Sequence, residues 1–204
     1  TLAEIDLALM CAKYADDLRA VEPILEPYRK AAPEHPGCTI RLMQARHPLL
    51  PRRTAVPIDA VLDDHTYSLV ITGPNTGGKT VTLKTVGLLA LMAQTGMHIP
   101  AQSGSTLSIF KNIYADIGDE QSIQESLSTF SAHLTRLSGF TRQAGESSLL
   151  LLDELGAGTD AEEGCALAMG LLDYFIERDC IVLTTTHQNL LKNYAATREK
   201  AENA

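Results

Sequence analysis

Short apolar runs alternate along this chain with longer segments in which apolar residues recur at helical spacing. Residues 69–71, 149–152 and 181–183 are apolar throughout and have strand length, which is typical of strands covered on both faces. This alternation predicts an α/β fold with a mainly parallel central sheet flanked by helices. The apolar positions at helical spacing are Ile123, Leu127, Phe130, Leu134 and Leu137 in one segment and Ala168, Leu172, Phe175 and Ile176 in another.

The N-terminal segment has a different pattern, in which apolar residues at helical spacing are interrupted by acidic pairs. Residues 2–21 are predicted to form a helix. Thr1 and Glu4 have the spacing of a capping box at its start. Pro23 and Pro27 are expected to end it, because proline removes a backbone donor and clashes with the preceding turn.

Beyond this helix the chain changes to the alternation that is typical of short strands. A proline-rich linker at residues 31–37 precedes strand patterns at 39–43 and 56–62, which predict a small antiparallel flap over residues 38–66. We therefore expect two parts, a helical connector at residues 1–37 and a main domain at residues 38–204. Further short strands are expected at residues 98–101 and 107–113, around a Ser/Gly turn.

Residues 73–80 read Gly-Pro-Asn-Thr-Gly-Gly-Lys-Thr, which has the G-x-x-x-x-G-K-S/T spacing of a phosphate-binding loop. Glycines let the backbone N–H groups converge on phosphate oxygens, and the N-terminus of the following helix adds positive potential. Lys79 is expected to reach the terminal phosphates, and the Thr80 hydroxyl to bind Mg²⁺. The predicted phosphate-binding residues are Gly73, Pro74, Asn75, Thr76, Gly77, Gly78, Lys79 and Thr80.

Two carboxylates follow the four leucines at residues 149–152. In open α/β sheets, ligands bind at the carboxyl ends of the strands, so Asp153 and Glu154 are expected beside the phosphate loop. Asp153 is assigned to Mg²⁺, through water, and Glu154 to the activation of the attacking water. A turn that is acidic by chance is the alternative interpretation.

Two further polar residues are candidates for the same site. His187 follows the apolar run at residues 181–183 and is expected to contact the γ-phosphate, although a lone histidine is often structural. Ser128 is predicted to be the N-cap of a helix beginning there, and the spacing leaves open whether it has a function. Asp160, followed by Glu162 and Glu163, is predicted to be the N-cap of the next helix.

Charge and composition narrow the classes of partner. The chain has 204 residues and a formal net charge of −8, and from Gly73 onward nine lysines and arginines face fifteen aspartates and glutamates. This balance argues against strong nucleic-acid binding by this part alone. We expect a cytoplasmic protein with no membrane span. The four cysteines, Cys11, Cys38, Cys165 and Cys180, form no C-x-x-C pair and predict neither disulfides nor a zinc site.

Five motifs together resemble the ATPase domain of the MutS family, most closely its endonuclease-bearing branch. They are Gly-Pro-Asn-Thr-Gly-Gly-Lys-Thr, Asp-Ile-Gly-Asp-Glu-Gln-Ser-Ile, Leu-Ser-Thr-Phe-Ser-Ala-His, Leu-Leu-Asp-Glu-Leu-Gly-Ala-Gly-Thr-Asp and Thr-Thr-His. The resemblance covers roughly residues 38–204, and the first helix resembles the end of the family's helical lever arm. Arg46-His47-Pro48 and Val56-Pro57-Ile58 resemble a segment that lies near the adenine.

The resemblance implies an ABC-like P-loop NTPase domain that hydrolyses ATP with Mg²⁺ at two sites across a homodimer. Gly73 to Thr80 would bind the phosphates, and Thr80 and Asp153 would serve Mg²⁺. Glu154 would activate the attacking water, and His187 would contact the γ-phosphate region. Ser128 would be the signature serine offered to the nucleotide of the partner subunit. The family pattern continues at both ends, so we expect an excised, C-terminally truncated domain that is monomeric in isolation.

In the whole protein, the resemblance implies action on branched DNA and recombination intermediates, or on stalled ribosomes and their rRNA, through domains outside this chain. Three alternatives to this ATPase can be compared with the residues themselves. An ABC transporter cassette would need Leu-Ser-Gly-Gly-Gln, which is absent. A structural-maintenance ATPase head would need a long coiled coil, but Asp153 follows Thr80 by only 73 positions. A nucleotide-dependent switch with little turnover is the third.

Overall fold

The computed structural model describes residues 1–28, 40–63, 65–74, 77–118 and 126–204, with the backbone alone for residues 126–129. Five helices and nine strands lie in these ranges. The helices are α1 (Leu2–Leu18), α2 (Lys79–Gln94), α3 (Ser126–Gln143), α4 (Ala161–Ile176) and α5 (Asn189–Thr197). The strands are β1 (Ile24–Pro27), β2 (Ile40–Ala45), β3 (Ile58–Leu62), β4 (Ser68–Thr72), β5 (Thr106–Ile109), β6 (Asn112–Asp116), β7 (Ser148–Leu152), β8 (Ile181–Thr186) and β9 (Ala201–Asn203).

A five-stranded parallel sheet forms the centre, with the strand order β6-β7-β8-β4-β9. Every residue of β7 and β8 is buried, which confirms the two apolar runs as strands covered on both faces. The third apolar run lies in β4, between β8 and β9. Because the strands are parallel, the carboxyl ends of β4, β6, β7 and β8 meet at one edge of the sheet.

Two hydrophobic cores cover the two faces of this sheet. Successive residues of a strand point to opposite faces, and accordingly Leu149 and Leu151 of β7 lie in one core, whereas Leu150 and Leu152 lie in the other. The first core contains α2 and the strands of a second sheet. The second contains side chains of α3, α4 and α5. The central sheet is therefore covered on both faces, as the sequence predicts.

The second sheet has four strands in the order β1-β5-β2-β3. The predicted antiparallel flap is present as β2 and β3, but its predicted extent is wrong. Strand β5, which follows α2 in the chain, pairs antiparallel with β2, and β1 pairs parallel with β5. Long-range pairing of this kind leaves no signal in the local sequence.

The end of the first helix also differs from the prediction. Helix α1 begins at the predicted capping box, where the Glu4 N–H donates to Thr1 Oγ1. It ends at Leu18 because Arg19 adopts a left-handed conformation with φ of 49°. Pro27 does not end a helix but closes β1, an edge strand whose outer side needs no donor. The division of the chain at residue 37 stays a prediction.

The segment predicted as one strand at residues 107–113 is divided between the two sheets. Strand β5 ends at Ile109 and β6 begins at Asn112. The Gln94 amide explains the break, because Nε2 donates to the Phe110 carbonyl (3.1 Å) and Oε1 accepts from the Phe110 N–H (2.8 Å). Of the strand predicted at 98–101, the structure contains an isolated bridge between Val21 and Ile99.

Helix α1 has no buried residue, and the exposed fraction of Leu2 is 86%. Tyr14 and Leu18, near its C-terminal end, pack against the first core. Among the described residues, no helix combines the length and the apolar character needed to cross a bilayer.

Candidate nucleotide-binding site

The glycine-rich loop connects β4 to α2 at the carboxyl edge of the central sheet. Gly73 and Gly78 have φ of 145° and 80°, a region that favours glycine. Gly78 is the N-cap of α2 and supplies no side-chain cap, so the first N–H groups of this helix face the loop. Such a helix N-terminus attracts anions. Asn75 and Thr76, both predicted to bind phosphate, lie outside the described residues.

Lys79 directs its ammonium group into this loop. Its side chain is buried, with an exposed fraction of 6%. Nζ donates to the carbonyl oxygens of Gly73 (2.7 Å) and Pro74 (3.0 Å) and lies 3.4 Å from Nδ1 of His187. Among the described residues, no carboxylate forms an ion pair with Lys79. In the part of the chain that the structure describes, two carbonyl dipoles and the ring of His187 therefore surround this buried positive charge.

Asp153 and Glu154 follow β7 and lie beside the end of β8, the strand between β7 and the loop strand β4. Asp153 is 8% exposed. The Thr185 hydroxyl of β8 donates to Asp153 Oδ1 (2.5 Å) and accepts from the Glu154 N–H (2.8 Å). One hydroxyl thus fixes both acidic residues. The sequence analysis missed Thr185, although a polar run, residues 184–186, at the end of a buried strand was a signal for it.

His187 connects the loop to the acidic turn. Nδ1 lies 3.4 Å from Lys79 Nζ, and Nε2 lies 3.1 Å from Glu154 Oε1. An ammonium group can only donate, so Nδ1 accepts, and Nε2 carries the proton that is donated to Glu154. The structure brings Lys79, Glu154 and His187 into one chain of polar contacts. Thr80 lies next to Lys79, in the first turn of α2.

Backbone contacts hold the acidic turn against α4. Gly156 has φ of 85°, and a Cβ atom there would lie 2.5 Å from the Gly164 carbonyl oxygen. The Gln188 side-chain N–H donates to the Gly156 carbonyl (3.1 Å). Asp160 is the N-cap of α4, as predicted, and accepts from the N–H groups of Glu162 and Glu163. The turn that carries Glu154 is therefore closely packed.

Ser128 does not have the predicted capping role. Helix α3 begins at Ser126, so the backbone of Ser128 already lies within its first turn and cannot be the N-cap. The spacing of polar residues at 126–129 did not determine which of them would start the helix. The role of Ser128 toward a second subunit stays a prediction.

The loop around His47 lies near α2. Burial, together with the positive charge of Lys84 on α2, holds the pKa of His47 below its usual value. The Arg46 guanidinium donates to the Ala55 carbonyl and closes this loop. The proximity of this loop to the adenine stays a prediction.

A glycine-rich loop between a parallel strand and a helix, with carboxylates at the carboxyl end of another strand of the same sheet, defines a P-loop nucleotide-binding domain. Residues 69–204 match the family model for MutS domain V, which is the ATPase domain of that family. The chain therefore belongs to the MutS family.

Relatives with the name Endonuclease MutS2 match along essentially the whole chain. The protein of Thermomicrobium roseum is 57% identical over 204 residues, which cover 99% of this chain and 26% of the relative. The protein of Shouchella clausii is 50% identical over 203 residues, which cover 100% of this chain and 25% of the relative. The chain thus spans about a quarter of the length of these relatives.

Proposed function

We propose that this chain binds Mg-ATP and hydrolyses it. The buried ammonium group of Lys79, without an ion pair among the described residues, carries this proposal. A buried charge that has only dipoles around it is costly, and a phosphate group in the loop would neutralise it. Its neighbours Asp153, Glu154 and His187 add the groups that phosphoryl transfer to water requires.

Each residue has a distinct task in this proposal. Lys79 and the first N–H groups of α2 hold the phosphates. Thr80 and, through water, Asp153 would hold Mg²⁺, which would supply positive charge to the phosphates. The chemistry of the two side chains fits this ion, because a hydroxyl and a buried carboxylate offer the oxygen atoms that Mg²⁺ prefers. Glu154 accepts the proton of the attacking water, and His187 orients its carboxylate.

The assembly and targets of the whole protein are a second level of the proposal. Ser128 would complete the nucleotide site of a partner subunit in a homodimer. The whole protein would act as an endonuclease on branched DNA, or on stalled ribosomes, using parts beyond this chain. The names of the relatives support the nuclease proposal. The net charge of −8 supports the assignment of nucleic-acid binding to other parts.

Measuring phosphate release from Mg-ATP at high protein concentration, beside equilibrium binding of ATP, tests the proposal on the purified chain. We expect binding and slow multiple turnover, with turnover lost when EDTA removes Mg²⁺ and binding weakened when Lys79 is replaced. Binding without turnover would instead support a nucleotide-dependent switch. Cosedimentation of the full-length protein with ribosomes, against its affinity for four-way DNA junctions, would separate the two proposed targets.

A further inference from the structure

Asp116 ends β6 next to the acidic turn, and no task has been assigned to it above. Its backbone pairs with β7, where Asp116 lies opposite Leu152, and its carbonyl accepts the Asp153 N–H (2.9 Å). Its carboxylate is buried, with a side-chain exposed fraction of 5%. Such a carboxylate requires partners, and two residues of α3 supply them among the residues that the structure describes.

His133 and Arg136 supply these partners. Arg136 Nε donates to Asp116 Oδ1 at 2.5 Å, and His133 Nδ1 lies 2.6 Å from Asp116 Oδ2. The two residues are three positions apart and therefore lie on the same face of the helix. We call Asp116, His133 and Arg136 the Asp116 clamp. It ties α3 to the carboxyl edge of the central sheet.

The clamp acts on a part of α3 that is less deeply buried than its C-terminal half. Between residues 130 and 136 no residue is fully buried, and Leu137 is the first buried apolar residue among the side chains of α3 that the structure describes. Farther along, the Tyr174 hydroxyl donates to the Thr141 carbonyl. Full burial thus anchors the C-terminal half of α3, whereas the charge-assisted hydrogen bonds of the clamp add to half-buried apolar contacts nearer its N-terminus.

Ser128 lies on this N-terminal half. It precedes His133 by five residues, a rise of about 7.5 Å along an α-helix. Ser128 precedes the buried Leu137 by nine residues, a rise of about 13.5 Å. A small tilt of α3 about Leu137 would therefore displace Ser128 more than it would displace any residue nearer to the core.

We propose that the Asp116 clamp is a positioning device, which holds α3 so that Ser128 meets the nucleotide bound by a partner subunit. This inference rests on the proposed function, because it assumes ATP hydrolysis in a homodimer. The structure also suggests a rival role. Asp116 accepts the Asp153 N–H, so the clamp could instead act on the Mg²⁺ ligand of its own subunit. The two roles predict different energetic couplings.

A double-mutant cycle in the full-length protein separates them. The variants are Ser128→Ala, His133→Leu and the two combined, with kcat at saturating ATP and the Kd for ATP as readouts. A clamp that works through Ser128 has nothing left to position once the serine is removed. We expect His133→Leu to lower kcat by about tenfold or more, with an unchanged Kd. In the Ser128→Ala background it should have no further effect.

His133→Asn is the matched control, because its amide can donate from nearly the position of Nδ1, and it should retain most of the activity. Arg136→Met, at a side chain that is 46% exposed, replaces His133→Leu if that variant does not fold. Additive effects in the cycle, unchanged kcat in the single variant, or an inactive His133→Asn would each overturn the inference. An unaffected Lys79→Ala variant would instead refute the proposed ATPase function.

Discussion

At the scale of one residue, the buried charge of Lys79 is the strongest support for the proposed nucleotide site. Its ammonium group reaches two loop carbonyls and the ring of His187, and these contacts orient it toward the space enclosed by the loop. Carbonyl dipoles compensate a buried cation less completely than an anion does. A phosphate bound in the loop would therefore compensate the charge of Lys79 more completely than the carbonyl groups do.

Replacing Lys79 by alanine should weaken ATP binding. The lost charge-assisted contacts are worth about 1.5–3 kcal/mol, or roughly a ten- to hundredfold rise in Kd. Isothermal titration with Mg-ATP measures this change. Lys111→Ala is the matched control, because Lys111 precedes β6 and lies at the opposite edge of the sheet. Equal affinity in the Lys79→Ala variant and the parent would rule out the phosphate-loop assignment.

Replacing Glu154 by glutamine should preserve ATP binding and remove turnover. The amide has a similar size, but it cannot accept the proton of the attacking water, so kcat should fall by about a hundred- to ten-thousandfold. A steady-state phosphate assay measures it. Glu146→Gln, in the turn before β7, should behave like the parent. Parental turnover in the Glu154→Gln variant would place the general base elsewhere.

Replacing Thr185 by valine removes the hydroxyl and keeps nearly the same side-chain volume, and it should weaken the contacts that hold the acidic turn. The variant removes the acceptor of the Glu154 N–H and the donor to Asp153 Oδ1. Each buried group left without a partner costs about 1–3 kcal/mol, so both the free energy of unfolding and kcat should fall. Urea denaturation and the phosphate assay measure these effects. Thr185→Ser keeps the hydroxyl and should restore most of both, and a valine variant with parental values would contradict this role.

At the scale of elements, the contact between the acidic turn and α4 depends on two glycines. A Cβ atom on Gly164 would lie 2.1 Å from the Gly156 carbonyl oxygen, whereas one on Gly170 of the same helix would meet nothing within 4 Å. The turn and the helix can therefore approach closely only where both residues lack side chains. This contact holds Glu154 at its place beside β8.

Gly164 and Gly170, which both lie in α4, should respond in opposite ways to replacement by alanine. Gly170→Ala should stabilise the fold by about 0.5–1 kcal/mol, because alanine loses less entropy in a helix. Gly164→Ala should destabilise it by about 1–3 kcal/mol, since the backbone must move apart. Thermal denaturation followed by circular dichroism compares them. A Gly164→Ala variant as stable as Gly170→Ala would show that the turn is not in close contact with α4.

At the scale of the whole molecule, the proposed reaction requires two chains. In this proposal the residues from the loop, β7 and β8 would contact one side of the nucleotide, and Ser128 would approach it from a second subunit. Association costs several kcal/mol in lost translational and rotational freedom. We expect ATP bound between two chains to offset this cost only weakly. Without ATP there is no such contribution, so the isolated chain should be a monomer.

The ATPase rate per chain should accordingly rise with protein concentration. Light scattering would give the oligomeric state, and a series of rates over a wide concentration range would give the order of the reaction. A stable dimer without ATP would show that an interface within these 204 residues suffices. Brisk turnover at a rate independent of concentration would contradict the requirement for a second subunit.

The sequence by itself determined the central strands and the positions of the glycine-rich loop and the acidic turn at their carboxyl ends. Four consecutive leucines can be buried only in an element that is covered on both sides, and β7 is such an element. The glycine positions of the loop and the carboxylates after β7 are local features, so spacing alone was enough to place them. Asp160 was recognised as an N-cap for the same reason.

Only the tertiary structure decided which distant residues would meet. The pairing of β1 with β5 joins segments about 80 residues apart, and neither segment shows the other in its own pattern. Thr185 and the Asp116 clamp could not be assigned from spacing, because their roles depend on neighbouring strands and on the position of α3. Periodicity indicates the secondary structure that a segment prefers, whereas the packing of the whole chain determines which distant residues it contacts.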